Sequence, residues 1–400
     1  MIIDGKRSLA HVEKISWVKE IEGADNIELI GVLGWNCISK IGEFEKGDFC
    51  VYIEIDSKVP EKEWSEFLRR KHFKIKTMRL SRFNVISQGI ALPLDIFDVE
   101  IPKKEGTDVT ELLEIKYSNP KDAKRKGEGL NKYEAMALRN KELFEKSWVK
   151  WLMNRDWGKK LLFFLLGDDR KDKSKRFPNK FDHISKTDQE RCENMPDVLQ
   201  DKTPFVRTQK CDGSSATYIL EVTNTHPLKK DYEFYVCSRN LRVFREDDPL
   251  VDNDNPYWEL ADKLDIERKL RDYLEKHKGC KYVCWQGEIC GPKIQGNPHK
   301  LTQNHLFCFH MIDSNGMFDI REAKKIWDEY GIESVPIDDE EYVLPDDFEE
   351  FKLSADGYYD SDVCEGHEKC AMEGWVYYKT TDPKFSFKNI SCKYLIKRGE

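Results

Sequence analysis

From Ser8 to about Leu94 the chain is interrupted every few residues by a turn signal, and that interruption limits what it can build. Ile27 to Val32 alternates loosely, and Trp35 to Ser39 follows a turn at Gly34. The β-branched and aromatic run Phe49-Cys50-Val51-Tyr52-Ile53-Glu54-Ile55 follows Lys46-Gly47-Asp48. Several short strands with glycine turns predict a small closed barrel. An OB-fold is the first candidate, because this size suits five strands and the fold commonly holds nucleic acid. Basic residues stand where such a barrel would use them, at Arg69, Arg70, Lys71, Lys74, Lys76, Arg79 and Arg82, with His72 and Phe73 among them. An ordinary charged hairpin carries the same residues.

Gly106 to about Pro204 reads as a helical basic connector or insertion. Helix formers run from Tyr133 to Leu152, and Lys186-Thr187-Asp188-Gln189-Glu190-Arg191 resembles a capped helix start. Between Asn119 and Lys180, Lys and Arg outnumber Asp and Glu about two to one, an excess that faces phosphates or simply solvent. From Phe205 onward strands alternate with helices. Strands are expected around Ala216 to Val222, Tyr235 to Ser238, Tyr282 to Ile289 and Leu306 to Ile312, and helices near Tyr257 to His277 and Arg321 to Tyr330. The fold class is therefore α+β, divided into a barrel over 1–105, a connector over 106–200 and a mixed domain over 201–400.

Composition supports that size. A chain of 400 residues with 39% hydrophobic and 12% aromatic content is globular rather than a disordered tail. Its longest apolar run, Leu161 to Leu166, falls far short of the roughly 20 residues that span a bilayer. Met1-Ile2-Ile3-Asp4-Gly5 lacks the basic and apolar pattern of a secretory signal. Twelve cysteines in such a chain are expected to be reduced thiols, in a cytoplasmic setting or a host-cell cytoplasm for a viral chain. The net charge of -8 says little about partners.

The chemistry begins at Lys210-Cys211-Asp212-Gly213-Ser214-Ser215, between Phe205-Val206 and the strand from Ala216. A lysine is a nucleophile only as the neutral amine, so its pKa of about 10.4 must fall through nearby cations or desolvation. Gly213 permits a tight turn beside a bulky ligand. Downstream lie Ser238-Arg239-Asn240, Trp285-Gln286-Gly287-Glu288-Ile289-Cys290-Gly291-Pro292, and Leu306-Phe307-Cys308-Phe309-His310-Met311-Ile312-Asp313. Glu373-Gly374-Trp375-Val376-Tyr377-Tyr378-Lys379 and Lys384-Phe385-Ser386-Phe387-Lys388 complete the series. In order and spacing these blocks resemble the covalent nucleotidyltransferases: ATP-dependent DNA ligases, RNA ligases and mRNA capping enzymes. Gly287 to Asn297, Phe387 to Ser391 and the Lys186 to Asn194 segment are similar to the fifth RNA ligase family, as are Glu22 to Asp25, Val32 to Trp35, Val51 to Ser57 and Ser87-Gln88-Gly89 in the barrel. Residues 117–181 have no counterpart in that resemblance. DNA ligases and capping enzymes are expected to carry an OB domain after the last lysine motif, whereas only Asn389 to Glu400 follow Lys388 here.

The resemblance implies an N-terminal OB module, an ATP-grasp-like nucleotidyltransferase domain, and an ATP-dependent RNA ligase joining 3′-hydroxyl and 5′-phosphate ends. It implies a monomer acting on RNA, on nicks held in a duplex with an RNA 3′-hydroxyl end, in repair. A DNA ligase, a capping-type transferase or a non-catalytic RNA-binding protein are the alternatives. Lys210 would carry AMP, with Lys388 and Lys384 on one strand face neutralising phosphate and lowering the Lys210 pKa. Glu288 and Glu373, with Asp212 as a third oxygen donor, would hold hydrated Mg²⁺ or Mn²⁺; Glu288 could instead bond a ribose hydroxyl. Phe309, with Phe307 on the same face, would stack on adenine or pack in the core. Arg239 would grip phosphate. Gln209 would contact the nucleotide, in place of the acidic residue expected there. Cys364-x-x-His367-x-x-Cys370 has metal-like spacing with no evident fourth ligand. Of the nine histidines, His72, His299 and His305 are candidates to touch RNA.

Overall fold

The computed structural model describes residues 1–3, 6–118, 176–184, 189–226, 229–245, 255–364 and 369–398, with single positions between 143 and 155. The helix expected over Tyr133 to Leu152, and nearly all of residues 119–175, lie outside the described residues.

The first module is a bent antiparallel sheet of β1 (Ala10–Glu20), β2 (Ile27–Val32), β3 (Trp35–Lys40), β4 (Phe49–Ile53) and β5 (Ile90–Pro93), in the order β5-β4-β1-β2-β3. The long β1 makes the bend. Ala10 to Lys14 pair with β4, the second half pairs with β2, and the register slips between Ile15 and Trp17. A bulge of this kind increases twist and lets one strand serve two faces of a barrel. Val12, Val51, Ile53 and Leu92 fill the interior with Trp64, Leu68 and Phe73. This is the expected OB-fold, but it runs beyond 105: Val109, Leu113 and Ile115 share its core, and the Val109 N–H donates to the Ala10 carbonyl at 2.9 Å. Phe73 is core rather than part of the basic face, while Arg69, Arg70, Lys71, His72, Lys76, Arg79 and Arg82 are exposed.

The strands that follow are β6 (Glu190–Arg191), β7 (Phe205–Gln209), β8 (Ser214–His226), β9 (Lys229–Ser238), β10 (Tyr282–Cys290), β11 (His305–Asp313), β12 (Gly316–Met317), β13 (Ile337–Tyr342), β14 (Gly374–Lys379) and β15 (Asp382–Ile390). They form two five-stranded sheets, β6-β15-β14-β7-β13 and β9-β8-β10-β11-β12. One core joins the sheets: Val206, Val376 and Tyr378 meet Ala216, Tyr218, Leu220, Trp285 and Met311. Ile219 points the other way, where Phe177, Phe181 and Ile184 cover it. A strand buried on both faces needs apolar residues at successive positions, and Tyr218-Ile219-Leu220 supplies them.

Helices α1 (Pro256–Lys263), α2 (Ile266–Lys276) and α3 (Ile320–Glu329) close that core. The single helix expected over Tyr257 to His277 is broken, because Asp265 takes a left-handed φ of 52°. In α3, Asp319 caps the first turn by accepting from the Arg321 N–H, and Ile320, Ala323 and Trp327 bury one stripe. The last helices are α4 (Phe348–Leu353) and α5 (Cys392–Arg398). Glu190 and Arg191 form a strand parallel to Phe387 and Lys388 instead of the expected helix, and Cys192, Val198 and Leu199 pack against Phe205, Tyr377 and Phe387 of the C-terminal sheet. Residues 185–188 lie outside the described residues.

The barrel docks through its β2–β3 turn. The Gly34 N–H donates to the Glu193 carbonyl at 2.8 Å, and Lys352 Nζ donates to the Gly34 carbonyl at 3.2 Å. A Cβ on Gly34 would lie 2.4 Å from the Phe348 ring, so no larger residue allows this approach. Trp35 Nε1 donates to Asn194 Oδ1 at 2.6 Å, and Asn194 Nδ2 donates to Glu54 Oε1 at 2.9 Å. Ile390 and Leu395 enter a cluster with Ile15, Trp35, Tyr52 and Ala91.

Candidate active site

The chain crosses from the first sheet of the C-terminal domain to the second at residues 210–213. On one side the Lys210 N–H donates to the Gly374 carbonyl at 2.9 Å, extending the β7–β14 pairing; on the other, Ser214 pairs with Ile289. Gly213 is needed for that second approach: a Cβ there would lie 2.2 Å from the Ile289 oxygen. Its role is close strand contact, which corrects the expectation of a turn making room for a ligand.

The same crossing gathers charge. Glu288 stands on β10 opposite Ser215, and Glu373 lies immediately before β14. Lys210 Nζ donates to Glu373 Oε2 at 2.8 Å, across 163 positions of sequence. Burial acts to lower the Lys210 pKa, but Glu373, Glu288 and Asp212 outweigh it and hold the ammonium above its ordinary value. This corrects the expected depression by Lys384 and Lys388, since carboxylates rather than cations dominate the surroundings. Glu288 is pushed up to about 8, first by burial; Lys210 opposes the shift, and Glu373 and Asp212 add to it. The Asp212 carboxylate accepts from the Tyr394 hydroxyl and pairs with Arg398 at 3.1 Å.

An OB-fold domain family matches residues 9–94, and a family described as RNA ligase matches residues 203–395. The fold is similar to that of a Naegleria gruberi RNA ligase solved with PPi, at 27% identity and a TM-score of 0.72, covering 98% of this chain and 99% of that one. A lysine-to-methionine mutant of the Naegleria gruberi enzyme, with AMP and Mn, matches at 27% identity and a TM-score of 0.71 over 98% and 99% of the two chains. A glutamate-to-alanine mutant with ATP and Mn matches at 28% and 0.71 over 98% and 100%. An OB-fold domain followed by an RNA ligase domain, with this overall likeness, is the make-up of an ATP-dependent RNA ligase. No curated protein matches its sequence.

The ligase places its other expected site residues unequally. Lys388 pairs with Val376 on β14, so the two share a face, and Val376 lies in the core between the sheets. Lys384 is exposed near the hairpin end, about 13 Å along the strand from Lys388 at some 3.3 Å per residue, and leaves the site. Phe309 sits where the β10–β11 register slips and keeps a partly exposed ring. Phe307 is 1% exposed and packed in the core, so it offers no face to adenine. Arg239 follows β9 directly after Ser238, which pairs with Ala216, and its exposed side chain lies at the same sheet end as the nucleophile loop. Gln209 is buried and accepts from the Asp360 N–H at 3.3 Å, so its amide serves the protein rather than a nucleotide.

Among the described residues, no three His, Cys, Asp or Glu side chains already stand as a metal-ligating group. Asp212 is tied to α5, which corrects its expected place as third donor. Glu288 and Glu373 still fit a divalent cation: burial, Glu373 and Asp212 push the Glu288 carboxyl up to about 8 against the opposing Lys210, a crowding of carboxylates that a cation would relieve. Cys364 and Cys370 form a disulfide, which overturns both zinc ligation and uniformly reduced thiols; His367 lies outside the described residues. His299, expected to touch RNA, is fully buried. Sequence inspection missed Tyr359, Tyr394 and Arg398, which lie in no recognised block. No described helix is long and apolar enough to cross a membrane.

Proposed function

We propose that the ligase joins RNA ends with ATP through Lys210. The Lys210 Nζ forms a bond to the α-phosphorus of ATP as the bond to pyrophosphate breaks. An oxygen of the RNA 5′-phosphate attacks the same phosphorus, breaking the N–P bond and leaving RNA-adenylate. The 3′-hydroxyl then attacks the RNA 5′-phosphorus and AMP departs. Lys210 rests as the ammonium, so the first step requires proton removal, and Glu373 at 2.8 Å is within reach to accept it. Glu288 and Glu373 would hold a Mg²⁺ or Mn²⁺ ion, which when bound neutralises phosphate charge. Lys388, Arg239 and Phe309 would meet the nucleotide's phosphates and base.

The observation that carries this reading is the half-buried lysine ringed by Glu373, Glu288 and Asp212 at the crossing between two sheets. Mass measurement after adding ATP and Mg²⁺ tests it. The parent gains AMP and Lys210→Ala does not; an adduct on that variant removes Lys210 from the mechanism. Labelled GTP appearing on the protein would favour a capping-type reaction instead.

The substrate is a nicked duplex with an RNA 3′-hydroxyl end, and the enzyme acts as a monomer in RNA repair. Exposed Arg69, Arg70, Lys71, Arg79 and Arg82 on the barrel favour a phosphate-bearing partner. Sealing rates on nicked, blunt and all-DNA duplexes test the preference; equal sealing of all-DNA nicks removes it. Sedimentation measures the oligomeric state.

A further inference from the structure

The nucleophile loop is held by two side chains outside every block that the family resemblance rests on. Tyr359 is 7% exposed, and its hydroxyl donates to the Lys210 carbonyl at 2.8 Å while accepting from the Glu373 N–H at 3.2 Å. One oxygen thus spans the backbones of Lys210 and Glu373. His299 is fully buried. Its Nδ1 lies 2.8 Å from the Val363 carbonyl, and its Nε2 lies 3.1 Å from the Asp212 N–H. A carbonyl can only accept and an amide N–H can only donate, so His299 is the neutral tautomer with its proton on Nδ1. The rings of His299 and Tyr359 contact each other, with centroids 4.1 Å apart.

Both side chains are themselves fixed. The Tyr359 N–H donates to the Cys370 carbonyl at 2.9 Å and the Met372 N–H to the Gly357 carbonyl at 3.0 Å, tying the Tyr359 segment to the residues just before Glu373. The His299 loop is clamped by reciprocal bonds: Asn297 Nδ2 donates to the Leu301 carbonyl at 2.9 Å, and the Leu301 N–H donates to Asn297 Oδ1 at 3.0 Å.

We infer that Tyr359 and His299 are positioning residues for the first chemical step, setting the Lys210 amine against Glu373 by holding the backbone on both sides of the lysine. The inference rests on the function proposed above. A nucleophile displaced by about 1 Å can lose on the order of 100-fold in rate, so losing either anchor costs rate rather than ATP binding.

The experiment is single-turnover attachment of AMP at saturating ATP and Mg²⁺, with ATP half-saturation and thermal melting measured on each protein. Tyr359→Phe keeps the ring contact and removes only the hydroxyl. It is expected to slow attachment roughly 10- to 100-fold, with ATP half-saturation changed by less than about threefold and a cooperative melt retained. His299→Leu should slow it similarly. His299→Gln, whose amide oxygen can accept from the Asp212 N–H, should recover most of that loss. Parental rates in folded Tyr359→Phe overturn the inference, as does a loss removed by raising ATP, or a His299→Gln variant no better than His299→Leu. If His299→Leu does not fold, Tyr359→Phe decides. A parent that takes up no AMP defeats the proposed function instead, so the two failures are distinguishable.

Discussion

The barrel and the catalytic cleft are assembled on different scales. The five main strands of the barrel lie between Ala10 and Pro93, and most pair with a neighbour close in sequence. The cleft joins Lys210 to Glu373 across 163 positions and places Glu288 from a third strand beside them. The barrel can tolerate surface change because most of its core, apart from Ile390 and Leu395, comes from its own strands. The cleft depends on two sheets reaching register together, so its chemistry is exposed to changes far from the lysine.

That contrast can be broken in graded ways. The largest effect is expected from Glu373→Ala, which removes the partner of Lys210; AMP attachment should fall about 100- to 10,000-fold in a protein that still folds. A loss below tenfold in a single-turnover assay would show that Glu373 is not the proton acceptor.

Asn194→Ala attacks the joint between the regions. It leaves Trp35 Nε1 without its acceptor and takes one of its donors from the buried Glu54, which keeps the Met1 ammonium, and should cost roughly 1–3 kcal/mol in denaturant unfolding. AMP attachment should survive while RNA sealing drops. If both activities fall together, barrel docking and cleft assembly are one cooperative event.

Glu288 gives the cleft a pH signature that the barrel should lack. Its folded pKa of about 8 stands above the ordinary carboxylate value near 4.3, so between those pH values the folded state keeps a proton that the unfolded chain has released. Stability of the metal-free protein should therefore fall as pH rises through that window, and Glu288→Gln should flatten the fall. Identical melting-versus-pH curves for parent and variant would remove burial of Glu288 as its source.

The smallest effect belongs to the rim. Asp201 pairs with Lys379 at 2.6 Å, and that hydrogen bond holds its carboxyl down to about 2. The contribution is present above the ordinary carboxylate pKa and lost as pH falls toward 2. With both side chains about one quarter exposed, Asp201→Asn should cost less than about 1 kcal/mol by chemical denaturation.

Much of the barrel was legible because alternation and glycine turns are local signals. Ile27 to Val32 and Trp35 to Ser39 fall on their strands almost residue for residue. Local signals fail where tertiary contacts override them. Asp265 breaks a helix that its neighbours favour, and Glu190 and Arg191 become a strand because β15 offers an open edge. Lys210, Glu288 and Glu373, singled out in separate sequence blocks, stand together in the structure, but two-residue periodicity could not separate Phe309 from the buried Phe307 or show how far Lys384 lies from Lys388.

Sequence alone determined the order of modules and the residue types of the chemistry, because strand alternation and motif order are written along the chain. The tertiary structure decided the upward shift of the Lys210 pKa, the attachment of Asp212 to α5, and the hydrogen bonds of Tyr359 and His299 to the loop that carries Lys210. Those depend on which charges and hydrogen-bond partners share a small buried volume, and residues from distant parts of the chain meet there only after the two sheets close.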